Sequence, residues 1–153
     1  MLPALGSIAS QQAAPTAQTM QHVQQLPDYA TTHPNAIITY RVSDMVLTGH
    51  SNASYLSEAK SQSRAGGHFF MTDEYLGPPK NGAVTTISRI IKTVMSSTAE
   101  EELCALFINC QEAVPAKITL GEKGHKHPPT QLQTENTTAI GVVKDNIVSK
   151  KLK

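Results

Sequence analysis

An α/β fold is what the pattern of this 153-residue chain predicts, and three features predict it. β-branched runs bounded by turn residues recur up to Met95. A helical period of apolar residues takes over after Ser97, and a short strand-like run followed by another helical start comes last.

In order along the chain, the first thirty residues are rich in Gln, Ala, Thr and Pro and are the part least able to fold alone. Within 16–31, "TAQTMQHVQQLPDYAT", residues Met20, Val23, Leu26, Tyr29 and Ala30 follow an amphipathic helical period. Pro27 costs about 3 kcal/mol inside a helix, which predicts a stop or kink near Leu26. Ala36 to Arg41 and Met45 to His50 read as a hairpin around Val42 to Asp44. "SEAKSQSR" reads as a loop and "AGGHFFMT" as a third strand, whose paired glycines weaken it unless something approaches closely there. "DEYLGPPKNG" is turn-rich, and "AVTTISRIIKTVM" holds a fourth strand.

Ser97 stands three residues before Glu100, the spacing of a capping box, so a helix starts there. Leu103, Leu106, Phe107, Cys110, Ala113 and Val114 define its apolar face. Pro115 predicts its end or a kink, with a second helical piece from Ala116 to Glu122 closed by Gly124. A loop, a short strand over Gln131 to Thr134 and a helix from about Thr137 complete the reading, with no internal repeat.

Composition sets limits. A hydrophobic content of 39% is low for a globular domain, and 5% aromatics without Trp leave the core to aliphatics. A net charge of +1 gives no broad field, so any nucleic-acid contact must be local. Lys144, Lys150, Lys151 and Lys153 form a short basic tail that reads as a solvated end. Cys104 and Cys110 would be turned about 240° apart on a helix, which leaves two reduced core thiols rather than a bridge or a shared metal. The N-terminus "MLPALGSIAS" lacks a basic n-region, and no apolar run approaches the length of a membrane span. A cytoplasmic location is therefore expected, and the sequons at Asn52 and Asn136 read as accidental.

Three polar positions stand where elements begin or end: Asn52 at the end of a strand, Glu102 in the first turns of the long helix, and Glu135 after the late strand. Such positions can converge at the carboxyl edge of an open sheet, where α/β folds bind ligands. Glu100 and Glu101 read as first-turn acids favoured by the helix dipole. His50, His68, His125 and His127 raise the question of zinc, but "HKH" lies in a Pro-rich loop with no paired motif at finger spacing. "GHSNA" approaches the G-x-S-x-G elbow of serine hydrolases, with Ser51 as nucleophile, yet Ala53 replaces the last Gly and no helix pattern follows.

Three blocks, "GHSNASYLSEAKSQSRAGGHFF", "MSSTAEEELCALF" and "QTENTTAIGVV", resemble in order and spacing the core of the ribonuclease H domain of copia-type retrotransposon polyproteins. That family's blocks run approximately S-D-A-x-[YW], S-S-x-E-A-E-[LY]-x-A-L and x-D-N-x-[ST]-A. The resemblance implies a ribonuclease H-like mixed sheet flanked by helices, truncated at its C-terminus, over 43–153, with 1–42 resembling a reverse transcriptase tail and connection. It also implies an ancestral activity, hydrolysis of the RNA strand of an RNA–DNA hybrid by two Mg²⁺ ions held by carboxylates.

Matched by position, the catalytic acids fall on Asn52, Glu102 and Glu135, of which Glu102 and Glu135 could still ligate metal. The family has Asp at the first and third. An amide has one neutral acceptor oxygen and cannot bridge two cations. Glu135 is longer than Asp, by about 1 Å against a metal spacing of about 3.5 to 4 Å, and such a misplacement can cost about a hundredfold in rate. A fourth acidic ligand of the family would lie beyond "SKKLK". The expectation is a degenerate, inactive fragment with Mg²⁺ binding weak or lost, in which Asn52→Asp with Glu135→Asp does not restore full turnover. The alternative is a non-catalytic module that binds nucleic acid or protein.

Overall fold

The computed structural model describes residues 1–73, 81–125 and 127–145. The chain divides into two units, Met1–Ile38 and Thr39–Lys153. The first contains α1 (Leu2–Ser10) and α2 (Ala17–Thr32). Thr16 and Thr19 cap α2 reciprocally: Thr19 N donates to Thr16 Oγ1 at 3.1 Å, and Thr16 N donates to Thr19 Oγ1 at 3.0 Å. The helix does not stop at Leu26 but runs through Pro27. The proline removes one ladder bond, and because Val23 and Pro27 are both exposed, water can serve the carbonyl it releases.

The second unit is a mixed four-stranded sheet with helices. Its strands are β1 (Val46–Glu58), β2 (Gln62–Thr72), β3 (Ala83–Ile91) and β4 (Gln131–Gln133), in the order β3-β2-β1-β4. β1, β2 and β3 are antiparallel neighbours, and β4 joins β1 in parallel. Ala36 to Arg41 is not a strand, so the first expected hairpin is absent. Ile37, Ile38 and Tyr40 are all exposed, so that run buries none of its large apolar side chains. Its end is instead fastened by Asn81, which accepts from Arg41 N at 2.7 Å and donates to Arg41 O at 2.9 Å. The hairpin that forms is β1–β2. "SEAKSQSR" is therefore not a loop: β1 runs to Glu58, one 3-10 turn covers Ala59–Ser61, and β2 begins at Gln62. Positive φ at Lys60 and Ser61 makes this reversal tight.

α3 (Thr98–Glu122) starts where expected, with Ser97 Oγ accepting from Glu100 N at 3.2 Å. The Glu100 carboxylate reaches back to Ser96, accepting from its N at 2.9 Å and its Oγ at 2.8 Å. Pro115 neither ends the helix nor separates Ala116 to Glu122 from it. The close comes at Gly124 (φ 89), where His125 N donates to Leu120 O at 3.1 Å and Gly124 N to Gly121 O at 3.0 Å, the paired bonds of a Schellman motif.

The face that α3 buries differs from the expected one. Glu101, Ala105, Asn109, Ala113 and Leu120 are buried, whereas Phe107 and Val114 are 62% and 58% exposed. The reason lies in the sheet. Leu47, Phe69 and Ile91 fill much of the two core clusters from the sheet, and the helix meets them with Ala113 and Leu120 in one and Ala105 in the other. Between the clusters Asn109 comes down over Gly67, where a Cβ would collide with its Oδ1. This is the close approach that the paired glycines anticipate.

α4 (Thr137–Asp145) follows β4, with Asn136 Oδ1 accepting from Ala139 N at 2.9 Å as its cap. Cys104 is half-buried and Cys110 exposed, both free, so Cys110 is not a core thiol. Among the described residues no helix is long and apolar enough to cross a membrane. The expected turn over 74–80 and the tail lysines 150, 151 and 153 lie outside the described residues.

Candidate functional site

Asn52 does not end a strand. It lies in the middle of β1 opposite Gly66, and it is exposed. Alternation along β1 turns Ala53 toward the Ala65–Ile91–Ala105 cluster beneath α3 and Asn52 to the other face. The Asn52 amide oxygen folds onto its own strand and accepts from Ala53 N at 2.9 Å.

Glu102 joins the three sequence blocks. Its Oε1 accepts from Ala53 N at 3.2 Å, the residue after Asn52, and its Oε2 accepts from Thr134 Oγ1 at 3.3 Å, the residue before Glu135. β1 and β4 pair Thr48↔Gln131, Gly49↔Leu132 and His50↔Gln133 in parallel; Asn52 lies two residues beyond His50 on β1, and Glu135 two residues past the end of β4. Glu135 is exposed. The fold thus sets the Glu102 carboxylate between the middle of β1 and the residue that follows β4, each contact one residue from another of the three positions. Among the described residues no three acidic, His or Cys side chains form a group able to hold a metal ion.

Beside Glu102, Glu101 is 1% exposed and its Oε1 has no hydrogen-bond partner. Burial pushes its carboxyl above the ordinary range, and the neighbouring Glu102 charge adds to the rise. Glu101 is therefore not a solvated first-turn acid. The signal was in the sequence, since Glu101, Ala105, Asn109 and Ala113 are spaced by four, a second stripe beside the more apolar one. Thr134 carried no signal, because its role depends on where β4 ends.

The elbow reading of Ser51 fails. Ser51 lies inside β1, 3% exposed, and its Oγ accepts from Asn109 Nδ2 at 2.9 Å, with no strand-to-helix turn to present it. His50 and His68 each lie against the Phe70 ring, at centroid distances of 5.7 and 5.4 Å. His125 and His127 line an open cavity of about 350 Å³ with Lys117, Gly121 and Gly124. Burial first, then the charges of His125 and Lys117, holds His127 below the usual imidazole range.

No family model, no curated protein and no solved structure matches this chain.

Proposed function

We propose that this chain is a degenerate relative of the ribonuclease H domain of copia-type retrotransposon polyproteins, of ribonuclease H-like architecture and without hydrolytic activity. An antiparallel trio of strands, then a helix, then a strand parallel to β1 is the order of elements that supports the architecture.

One observation carries the reading. The Glu102 carboxylate bonds to the residue after Asn52 and to the residue before Glu135, so the three blocks of the resemblance converge at one place. Convergence of three separated segments on the family's acidic positions supports descent from that site. The donor set argues against chemistry there. Two Mg²⁺ ions require anionic oxygens that bridge them. Asn52 supplies a neutral amide turned away from α3, and both Glu102 oxygens accept hydrogen bonds from the protein. The residues present do not fit a two-metal centre, and no catalytic step runs through one.

A labelled RNA–DNA hybrid incubated with the full chain and Mg²⁺ or Mn²⁺ tests this. The expected result is no cleavage above that of a Glu102→Ala control, and turnover comparable to an intact ribonuclease H overturns it.

A further inference from the structure

Asn81-Gly82 is the one Asn-Gly pair in the sequence, and it stands where the chain that leads into β1 is fastened to the sheet. Four hydrogen bonds hold the Asn81 carboxamide. Its Oδ1 accepts from Arg41 N at 2.7 Å and Gly82 N at 2.9 Å, and its Nδ2 donates to Arg41 O at 2.9 Å and to Met71 O, on β2, at 3.1 Å. The Gly82 N–H is shared with Thr39 O, also at 2.9 Å. Both residue types are required here. Only an amide gives and takes these bonds together, and a Cβ on the buried Gly82 would lie 2.8 Å from the Tyr40 ring and 2.9 Å from Thr39 O.

The combination is chemically labile. With no side chain to hinder it, a glycine nitrogen can add to Cγ of the preceding Asn. The N–Cγ bond forms, the Cγ–Nδ2 bond breaks, and Nδ2 leaves as ammonia with the hydrogen that the glycine nitrogen gives up. Water then opens the cyclic imide to aspartate or isoaspartate. We propose that Asn81 is a deamidation site gated by residues 39–41. In the fastened state Gly82 N meets the carboxamide at Oδ1, as a donor, whereas addition must come onto Cγ from above the amide plane. The swing that brings Cγ there takes both amide atoms off Arg41. Detachment of 39–41 removes Arg41 and Thr39 as partners together and leaves an unrestrained Asn-Gly pair. The change runs one way. A carboxylate at position 81 still accepts from Arg41 N and Gly82 N, but it donates nothing to Arg41 O and Met71 O and turns its charge on both carbonyls.

Incubation of the full chain at mildly alkaline pH, folded and in urea, followed by peptide mapping by mass spectrometry, reads the reaction at each Asn. Conversion at Asn81 should be slower in the folded chain by at least about tenfold, because only the locally opened fraction reacts. Tyr40→Ala removes the ring over Gly82 and the hydroxyl bond to Ala83 O, and should speed the folded reaction at least about threefold. Tyr40 is 64% exposed, so that variant should keep the wild-type circular dichroism. In hydrogen exchange, Asn81→Asp should release the Arg41 and Gly82 amides and leave those at the centre of β2 slow. Folded conversion as fast as in urea overturns the proposal, as does conversion in urea no faster at Asn81 than at Asn35 or Asn52, each of which precedes Ala. So does a rate that Tyr40→Ala leaves unchanged, and so does an Asn81→Asp chain whose Arg41 amide exchanges as in the wild type.

Discussion

Asn109 on α3 donates its amide to Ser51 on β1 at 2.9 Å, at the centre of the helix–sheet interface. The same nitrogen lies 3.0 Å from Gly66 O and 2.9 Å from Ala105 O, so helix, first strand and second strand share one buried amide group. Asn109 is fully buried, and these acceptors set which way its amide points, leaving Oδ1 toward Gly67. A polar side chain so held pins the position of α3 over the strands.

Gly67→Ala should therefore be costly. The added methyl meets the Asn109 carboxamide and the Ile87 Cβ, and Asn109 cannot move without giving up its bonds. A loss of about 2 kcal/mol is expected. Gly66→Ala should cost less, because its Cβ would meet only Asn52 O, at an ordinary 3.5 Å. Urea unfolding of both variants, and of Gly67→Ala in an Asn109→Ala background, checks the mechanism. The glycine substitution should be milder by about 1 kcal/mol when Asn109 is gone.

Glu101 should make the domain more stable in mild acid than at neutral pH. Its folded-state pKa is raised above the ordinary 4.5, by burial first and by the Glu102 charge second. Between those two values the folded state binds more protons than the unfolded one, so this contribution to stability falls as pH rises through the window and is flat above it. Glu101→Gln should flatten the slope. Glu101→Ala should gain about 1–3 kcal/mol at neutral pH by removing an unpartnered buried oxygen. Denaturant melts of the three proteins from pH 4.5 upward provide the comparison.

How much of this was legible in the sequence depends on whether the deciding contact is local. Ser97 marks the start of α3 through a bond three residues away, and the Ser97 reading holds. β3, β4 and α4 lie in the runs that suggested them, and β2 contains its run but begins three residues earlier, at Gln62. Pro27 and Pro115 do not end their helices, because a proline removes a single bond and both stand at exposed positions where the helix continues across them. The hairpin failed at Ala36 to Arg41, since β propensity says nothing about which strand is the partner. The buried face of α3 failed for the same non-local reason: strand side chains fill much of the core, and Ala105, Asn109, Ala113 and Leu120 face them while Phe107 is left outside. At the candidate site, Asn52, Glu102 and Glu135 could be named from their blocks, but Glu102's hold on Ala53 N and Thr134 could not.

Thr134→Val should loosen the junction between β4 and α4. Thr134 Oγ1 donates to Glu102 and accepts from Asn136 N at 3.4 Å, and Asn136 in turn caps α4. Removing the hydroxyl should cost about 1 kcal/mol. Hydrogen exchange should show faster exchange of the Ala139 and Ile140 amides than of β2 amides. In Glu102→Ala the further effect of Thr134→Val should largely vanish, because the two act through one bond.

Asn52→Asp should create a cation requirement without creating turnover. It sets a new carboxylate one residue from the strand amide that donates to the Glu102 carboxylate. Without divalent ions, mutual repulsion in a water-exposed setting should lower stability by about 1 kcal/mol. Millimolar Mg²⁺ should recover that loss, since an ion bound only by the folded state stabilises it by mass action. The wild type, with an amide at this position, should melt at the same temperature with and without Mg²⁺. Thermal melts of both proteins in EDTA and in Mg²⁺ separate the outcomes: a wild-type melting temperature that climbs with Mg²⁺ would show that Glu102 and Glu135 still hold a cation without help from residue 52.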